Sequence, residues 1–173
     1  KTLIVLIATL LGGLIAMAYV LIRKALNRGV EDPETIEQLG IPVYASIPLS
    51  KGQSLLENHL KGNGRASTGS LLLAVNNPAD LAVESLRSLR TSLHFATLEA
   101  KNNILMISGP SPAVGKSFVS CNLAAIIALT GQKVLLVDAD MRKGYLNKLF
   151  RKDVTNGLSD LLAGKIDLNT ATH

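Results

Sequence analysis

Residues 3–22 (LIVLIATLLGGLIAMAYVLI) carry no charge and are apolar on every helical face. That pattern predicts a helix of about the length that crosses the hydrocarbon core of a bilayer. Gly12 and Gly13 fall mid-run, where small residues let helices pack closely. Residues 31–48 (EDPETIEQLGIPVYASIP) then read as a short helix introduced by Glu31, Asp32 and Pro33 and ended by Gly40. An extended stretch with Pro42 and Pro48 near its ends follows. Residues 50–70 are rich in Gly, Ser, Asn and Lys, which predicts a flexible linker. From Pro78 the period changes. Leu81, Leu86, Leu89 and Leu93 recur among polar positions, as on an amphipathic helix, and Glu84, Arg87 and Arg90 share one of its faces.

Beyond residue 100 the pattern alternates. Residues 103–108 (NILMIS) form a short apolar run, residues 117–130 a small-residue apolar helix ended by Gly131, and residues 133–138 (KVLLVD) a near-continuous apolar run. Such runs suit parallel strands buried on both faces. Two of them joined by a helix make one βαβ unit, so the expected class is α/β with a parallel sheet and flanking helices. LNKLF and LSDLLAG predict two further short helices, with a turn at Asn156 and Gly157.

Chemistry enters between the first run and the helix. Residues 109–117 read GPSPAVGKS. A strand, a glycine-bearing loop, Gly-Lys-Ser and a helix are the context of a phosphate-binding loop. Loop N–H groups and the helix N-terminus offer positive partial charge to phosphate oxygens. Gly115 lets the backbone come close, Lys116 adds a point charge near the β- and γ-phosphates, and the Ser117 hydroxyl can join a Mg²⁺ shell. The usual pattern places Gly or Ala where this chain has Pro110; its glycine stands one residue earlier, at Gly109. ATP is expected against Gly109, Ser111, Pro112, Ala113, Val114, Gly115, Lys116, Ser117 and Phe118. The second apolar run ends in Asp138, Ala139 and Asp140. In an open parallel sheet ligands sit at the carboxyl ends of the strands. A carboxylate there can hold a Mg²⁺ shell or accept a hydroxyl proton. Asp140 could instead cap a following helix.

Composition narrows the classes. Aromatic residues make up 3% with no Trp, too few for a base-stacking nucleic-acid surface. The net charge of +5 includes Arg23, Lys24 and Arg28 just after the apolar run. By the positive-inside rule these place the C-terminal part in the cytoplasm. The basic excess suits anionic lipid headgroups or a solvated surface. The single Cys121 lies in an apolar helix and reads as a packing residue. With His59, His94 and His173 scattered, no zinc-type site is expected.

Taken together, GPSPAVGKSFVSCNLAAIIALTGQKVLLVDADMRKGYLNKLF resembles the core of the bacterial tyrosine kinases, the cytoplasmic domains of polysaccharide copolymerases. Gly115, Lys116 and Ser117 match that family's Walker A motif. Residues 134–140 match its Walker A′ motif. The segment from Glu84 through Arg87 to Arg90 looks like its ExxRxxR segment, associated with ring-shaped homo-oligomers. The stretch from Pro42 to Pro48 fits its proline-containing segment. Related partitioning ATPases carry an extra early lysine where this chain has Ser111, which favours the kinase branch.

The resemblance implies Lys116, Asp138 and Asp140 as catalytic residues and Ser117 and Asp138 as Mg²⁺ residues. It implies protein tyrosines as substrates, an inner-membrane location and control of exopolysaccharide or capsule polymerisation and export. A non-kinase ATP-binding scaffold and a membrane-bound partitioning-type ATPase are the rivals. The expected organisation is a membrane helix over 1–22, a juxtamembrane segment over 23–70 and part of a kinase domain over 71–173. The family's Walker B strand, tyrosine cluster, first membrane helix and extracytoplasmic domain are not in this sequence, which reads as a fragment.

Overall fold

The computed structural model describes residues 1–26, 33–61, 71–142, 144–152 and 156–172. It divides into two compact units, Lys1–Val43 and Tyr44–His173.

In the first unit, α1 (Thr2–Leu26) covers the uncharged run. Its stretch Thr2–Arg23 has a mean hydropathy of 2.5 and is long and apolar enough to cross a membrane. The Thr9 hydroxyl donates to Val5 O at 2.8 Å, so it needs no water partner. α2 (Pro33–Glu37) starts on Pro33, whose fixed φ suits a first helical position. Gly40 ends it at φ +78° and donates its N–H to Glu37 O at 2.9 Å. Glu31, Asp32 and Arg28 lie outside the described residues.

The second unit begins with residues 44–50, which take no regular form. The expected linker is then corrected: α3 (Lys51–Lys61) occupies its first half. Ser50 explains this. Its Oγ accepts from Gln53 N at 3.3 Å, as a helix cap does, and donates to Asp80 Oδ2 at 2.7 Å. Leu56 packs onto the core. A cap and one anchoring leucine outweigh a loop-like composition. Residues 62–70 of that linker lie outside the described residues.

α4 (Leu73–Asn76) and α5 (Leu81–Ala96) follow. Asp80 caps α5 by accepting from Ala82 N at 2.9 Å. Asp80 therefore joins the start of α3 to the start of α5. Replacing Ser50 with Ala removes both hydroxyl bonds and costs about 1 kcal/mol. Amide exchange at Gln53 is expected to rise about fivefold, and unchanged protection there would refute the link.

α5 confirms the amphipathic pattern with one change. Leu86 is buried, Leu89 and Leu93 pack at the core margin, but Leu81 is 70% exposed. Ala82 and Val83 take the inward positions of the first turn. α6 (Lys116–Ala128) lies against α4 and α5, and Leu123 and Ile126 meet Leu73, Ala74, Ala82, Val83 and Leu86 there. Burying a leucine as fully as Leu86 stabilises by about 1.5–3 kcal/mol. A second cluster joins Leu71, Leu72 and Cys121 to Leu149 of α7 (Leu146–Leu149), and Leu71 N donates to Leu149 O at 3.0 Å. The two expected terminal helices are thus α7 and α8 (Leu158–Leu162), followed by α9 (Leu168–Ala171), which Asp167 caps through Thr170 N.

The expected strands differ from the structure. Among the described residues no strand is formed, and residues 103–109 and 132–140 run as irregular segments. A strand exists only through ladder bonds to a neighbour, and neither segment has one among the described bonds. Ile107 and Leu136 still pack inward, towards α6 and its neighbours. Ile104 and Met106 are 83% and 84% exposed.

Candidate nucleotide site

The loop that feeds α6 is shaped by close approach and by left-handed backbone. A Cβ on Gly109 would lie 2.8 Å from Val114 Cγ2 and 3.3 Å from Lys116 Cδ, so no larger residue fits without movement. Gly109 thus gives the close approach, beside Pro110 where the usual pattern has its small residue. Gly115 adopts φ 92°, which glycine reaches freely. Ala113 adopts φ 61°, at a cost of about 1–2 kcal/mol. Lys116 folds back over the loop, and its Nζ donates to Ser111 O at 2.9 Å.

Gly115 is the N-cap of α6, and the first in-helix bond runs from Val119 N to Gly115 O at 2.9 Å. The N–H groups of Lys116, Ser117 and Phe118 precede it, and the first turn of a helix offers them no internal acceptor. Ser111, Pro112, Ala113, Val114 and Ser117 are exposed at this end. The Phe118 side chain packs against the core, leaving its backbone N–H for a ligand. Among the described residues these N–H groups meet no acceptor within the helix and Lys116 Nζ meets a carbonyl, an arrangement chemically suited to an anion.

Asp138 is half-buried, and both of its carboxylate oxygens accept backbone hydrogen bonds. Its Oδ1 accepts from Asp140 N at 3.1 Å, and its Oδ2 accepts from Tyr145 N at 3.1 Å and Leu146 N at 3.2 Å. The carboxylate therefore caps α7 from seven residues upstream. Gly144 makes room for it, because a Cβ there would meet Asp138 Oδ2 at 3.3 Å. Asp140 Oδ1 accepts from Arg142 N at 3.1 Å. It closes a local turn and is not the helix cap.

Burial, and then the Asp138 charge, push the Cys121 thiol up to about 12. The shift keeps Cys121 a neutral packing residue, as expected from the sequence. No described hydrogen bond joins Lys116 or Ser117 to Asp138. Among the described residues no cluster of three His, Cys, Asp or Glu side chains could hold a metal ion.

Glu84 and Arg87 on α5 form an ion pair at 2.7 Å, with side chains 64% and 38% exposed. Arg90, one turn on, is partly exposed. Two features escaped the sequence reading. The amides of Tyr145 and Leu146 as partners of Asp138 had one faint signal, Gly144. Asn122, buried inside α6, had none beyond being a lone amide in an apolar helix.

The loop and the helix it feeds have the form of a P-loop nucleotide-binding domain. The CobQ/CobB/MinD/ParA nucleotide binding domain family matches residues 105–160. Relatives refine the class. The tyrosine-protein kinase wzc of Salmonella typhimurium is 52% identical over 167 residues, 95% of this chain and 23% of that protein. The tyrosine-protein kinase etk of Escherichia coli is 51% identical over 175 residues, 98% of this chain and 24% of that protein. Among solved structures, the kinase domain of Escherichia coli tyrosine kinase ETK superposes with a TM-score of 0.72 at 52% identity. That match covers 82% of this chain and 54% of that one. The BceF tyrosine kinase domain gives 0.72 at 43% identity, over 82% of this chain and 56% of that one. The chain belongs to the bacterial tyrosine kinase family. It spans about a quarter of the length of the curated relatives it matches.

Proposed function

We propose that the protein containing this chain is an ATP-dependent protein-tyrosine autokinase of the plasma membrane that controls exopolysaccharide or capsule polymerisation and export. The carrying observation is the loop at the head of α6, with Lys116 poised on Ser111 O. The phosphates displace that carbonyl as the partner of Lys116 and take the N–H groups of the first turn. Hard oxygen donors suit Mg²⁺, and the Ser117 hydroxyl and Asp138 carboxylate supply them. When bound, the ion offsets charge on the phosphates. The γ-phosphorus leaves the bridging oxygen of ATP, bonds to the tyrosine oxygen and releases ADP. Asp138 accepts the hydroxyl proton, with Asp140 beside it in the chain. In this reading residues 103–109 and 132–140 pair as neighbouring parallel strands in the complete domain.

α1 anchors the protein, with Arg23, Lys24 and Arg28 on the cytoplasmic side against anionic lipid. The helix carrying Glu84, Arg87 and Arg90 joins copies into a homo-oligomer. An exposed pair such as Glu84 and Arg87 adds only about 0–1 kcal/mol to the fold. Changing Arg87 and Arg90 together to Ala should therefore leave the domain folded while the oligomer shrinks in sedimentation. An unchanged sedimentation profile returns that stripe to a solvated surface.

The function is tested by incubating the intact parent protein with Mg²⁺ and ATP and measuring phosphotyrosine on it. Phosphotyrosine that accumulates with time is the expected result. ATP binding without phosphotyrosine supports the scaffold reading, and ATP hydrolysis without it supports the partitioning-type ATPase.

A further inference from the structure

The contact between α6 and the α4–α5 pair is apolar, and apolar contacts are non-directional. Leucine, isoleucine and alanine alone would let α6 turn or slide a little against its neighbours. One buried polar side chain sits at that contact. Asn122 is 1% exposed, on the α6 face that meets α4. Its Oδ1 accepts from Ala74 N at 2.8 Å, and its Nδ2 donates to Phe118 O at 2.9 Å. The two partners fix the orientation of the amide, since the reversed side chain would set N–H against N–H and oxygen against oxygen.

Ala74 is the second residue of α4, where an N–H has no acceptor within the helix. The N-cap, Leu72, has no side chain that could serve. α6 therefore caps α4 from 48 positions along the chain. If α6 rotates or slips, Ala74 N and the Asn122 amide are both stranded in an apolar contact, where unpaired polar groups are strongly disfavoured. Asn122 makes one rotation and one axial position of α6 preferred over the rest.

The head of the same helix carries Lys116 and Ser117. Lys116 lies six residues before Asn122, about 9 Å along the axis. A helix transmits a rigid rotation over that distance, and a misplacement of about 1 Å at a reacting centre can cost about a hundredfold in rate.

We propose that Asn122 is a positioning residue for phosphoryl transfer: by capping α4 it fixes α6, and through α6 it sets Lys116 and Ser117 against the phosphates. This rests on the nucleotide reading of the loop. The test uses the intact parent protein with three substitutions, Asn122→Leu, Asn122→Asp and Lys116→Ala. Leucine keeps the size and apolar contact of the side chain but makes neither bond. Aspartic acid, held neutral by burial, can accept from Ala74 N and donate to Phe118 O.

Asn122→Leu is expected to lower kcat about tenfold to a hundredfold while KM for ATP moves less than about threefold. Asn122→Asp is expected to recover most of that loss. A well-folded Asn122→Leu protein with the kcat of the unchanged protein, beside an inactive Lys116→Ala, overturns the proposal alone. A Lys116→Ala protein with an unchanged rate overturns the nucleotide reading beneath it. Should Asn122→Leu fail to fold, amide exchange in the unsubstituted protein decides. Exchange at Ala74 is expected to slow several-fold when a non-hydrolysable ATP analogue binds, because both ends of the α6 connection then tighten. Exchange at Ala74 that does not respond overturns the proposal.

Discussion

Replacing Lys116 with Ala is expected to lower tyrosine phosphorylation of the intact parent protein about 100- to 1,000-fold. The size follows from what the ammonium does. It is the one side-chain cation of residues 109–117, and in the proposed reaction charge on the transferring phosphoryl group grows where it reaches. Preorganised donors aimed at developing charge are worth far more at a reacting centre than in water. The substitution should leave the fold almost intact. Lys116 makes one described side-chain bond, to Ser111 O, and an ordinary hydrogen bond contributes about 0.5–1.5 kcal/mol. The measurement is the initial rate of phosphotyrosine formation beside a denaturation curve. A rate within about threefold of the unchanged protein removes Lys116 from the site.

Asp138→Asn should act on structure and chemistry together. The carboxylate accepts three backbone N–H groups, two of them at the start of α7. Asparagine has one accepting oxygen; its NH₂ would face at least one of those donors. Bonds to a charged group are worth about 1.5–3 kcal/mol, so the loop from Asp140 to Leu146 should loosen and its amides exchange faster. Loss of the negative charge also removes the proposed Mg²⁺ donor and proton acceptor. The phosphorylation rate should then fall about 100-fold or more, as when other catalytic acid–base groups are removed. Faster exchange at Tyr145 and Leu146 with full activity would leave Asp138 a purely structural cap. Lost activity with unchanged exchange would leave it purely chemical.

How legible each part was depends on whether its cause is local. α1, α5 and α6 stand in the sequence because a 20-residue uncharged run and a leucine period are local properties. The form of the loop ahead of α6 was legible for the same reason: Gly115, Lys116 and Ser117 are adjacent, and a glycine at φ 92° followed by a helix is a local device. α3 was missed because its stability comes from afar, from the bond between Ser50 and Asp80 and from Leu56 in the core. Leu81 was misplaced because a leucine count ignores Ala82 and Val83, whose small side chains let α5 approach α4 and α6. Residues 103–108 and 133–138 have the composition of strands, yet composition cannot supply the ladder that makes one. Asp138 was found as an acid at a segment end, while its hold on Tyr145 and Leu146 joins residues seven and eight positions apart, with room left for it by Gly144.

The two bare apolar segments also bear on how the chain survives its own synthesis. NILMIS and VLLV are uncharged, lack proline and expose Ile104, Met106, Leu135 and Val137. Short windows of that kind readily add to one another edge to edge, building stacked assemblies between copies. Charges flank both: Lys101 precedes the first, and Lys133 and Asp138 bracket the second. They act as gatekeepers that slow such growth. During translation, both windows emerge from the ribosome before any strand made later can cover them. Exposed apolar windows of this kind are what makes an incompletely folded chain prone to aggregate and open to chaperones.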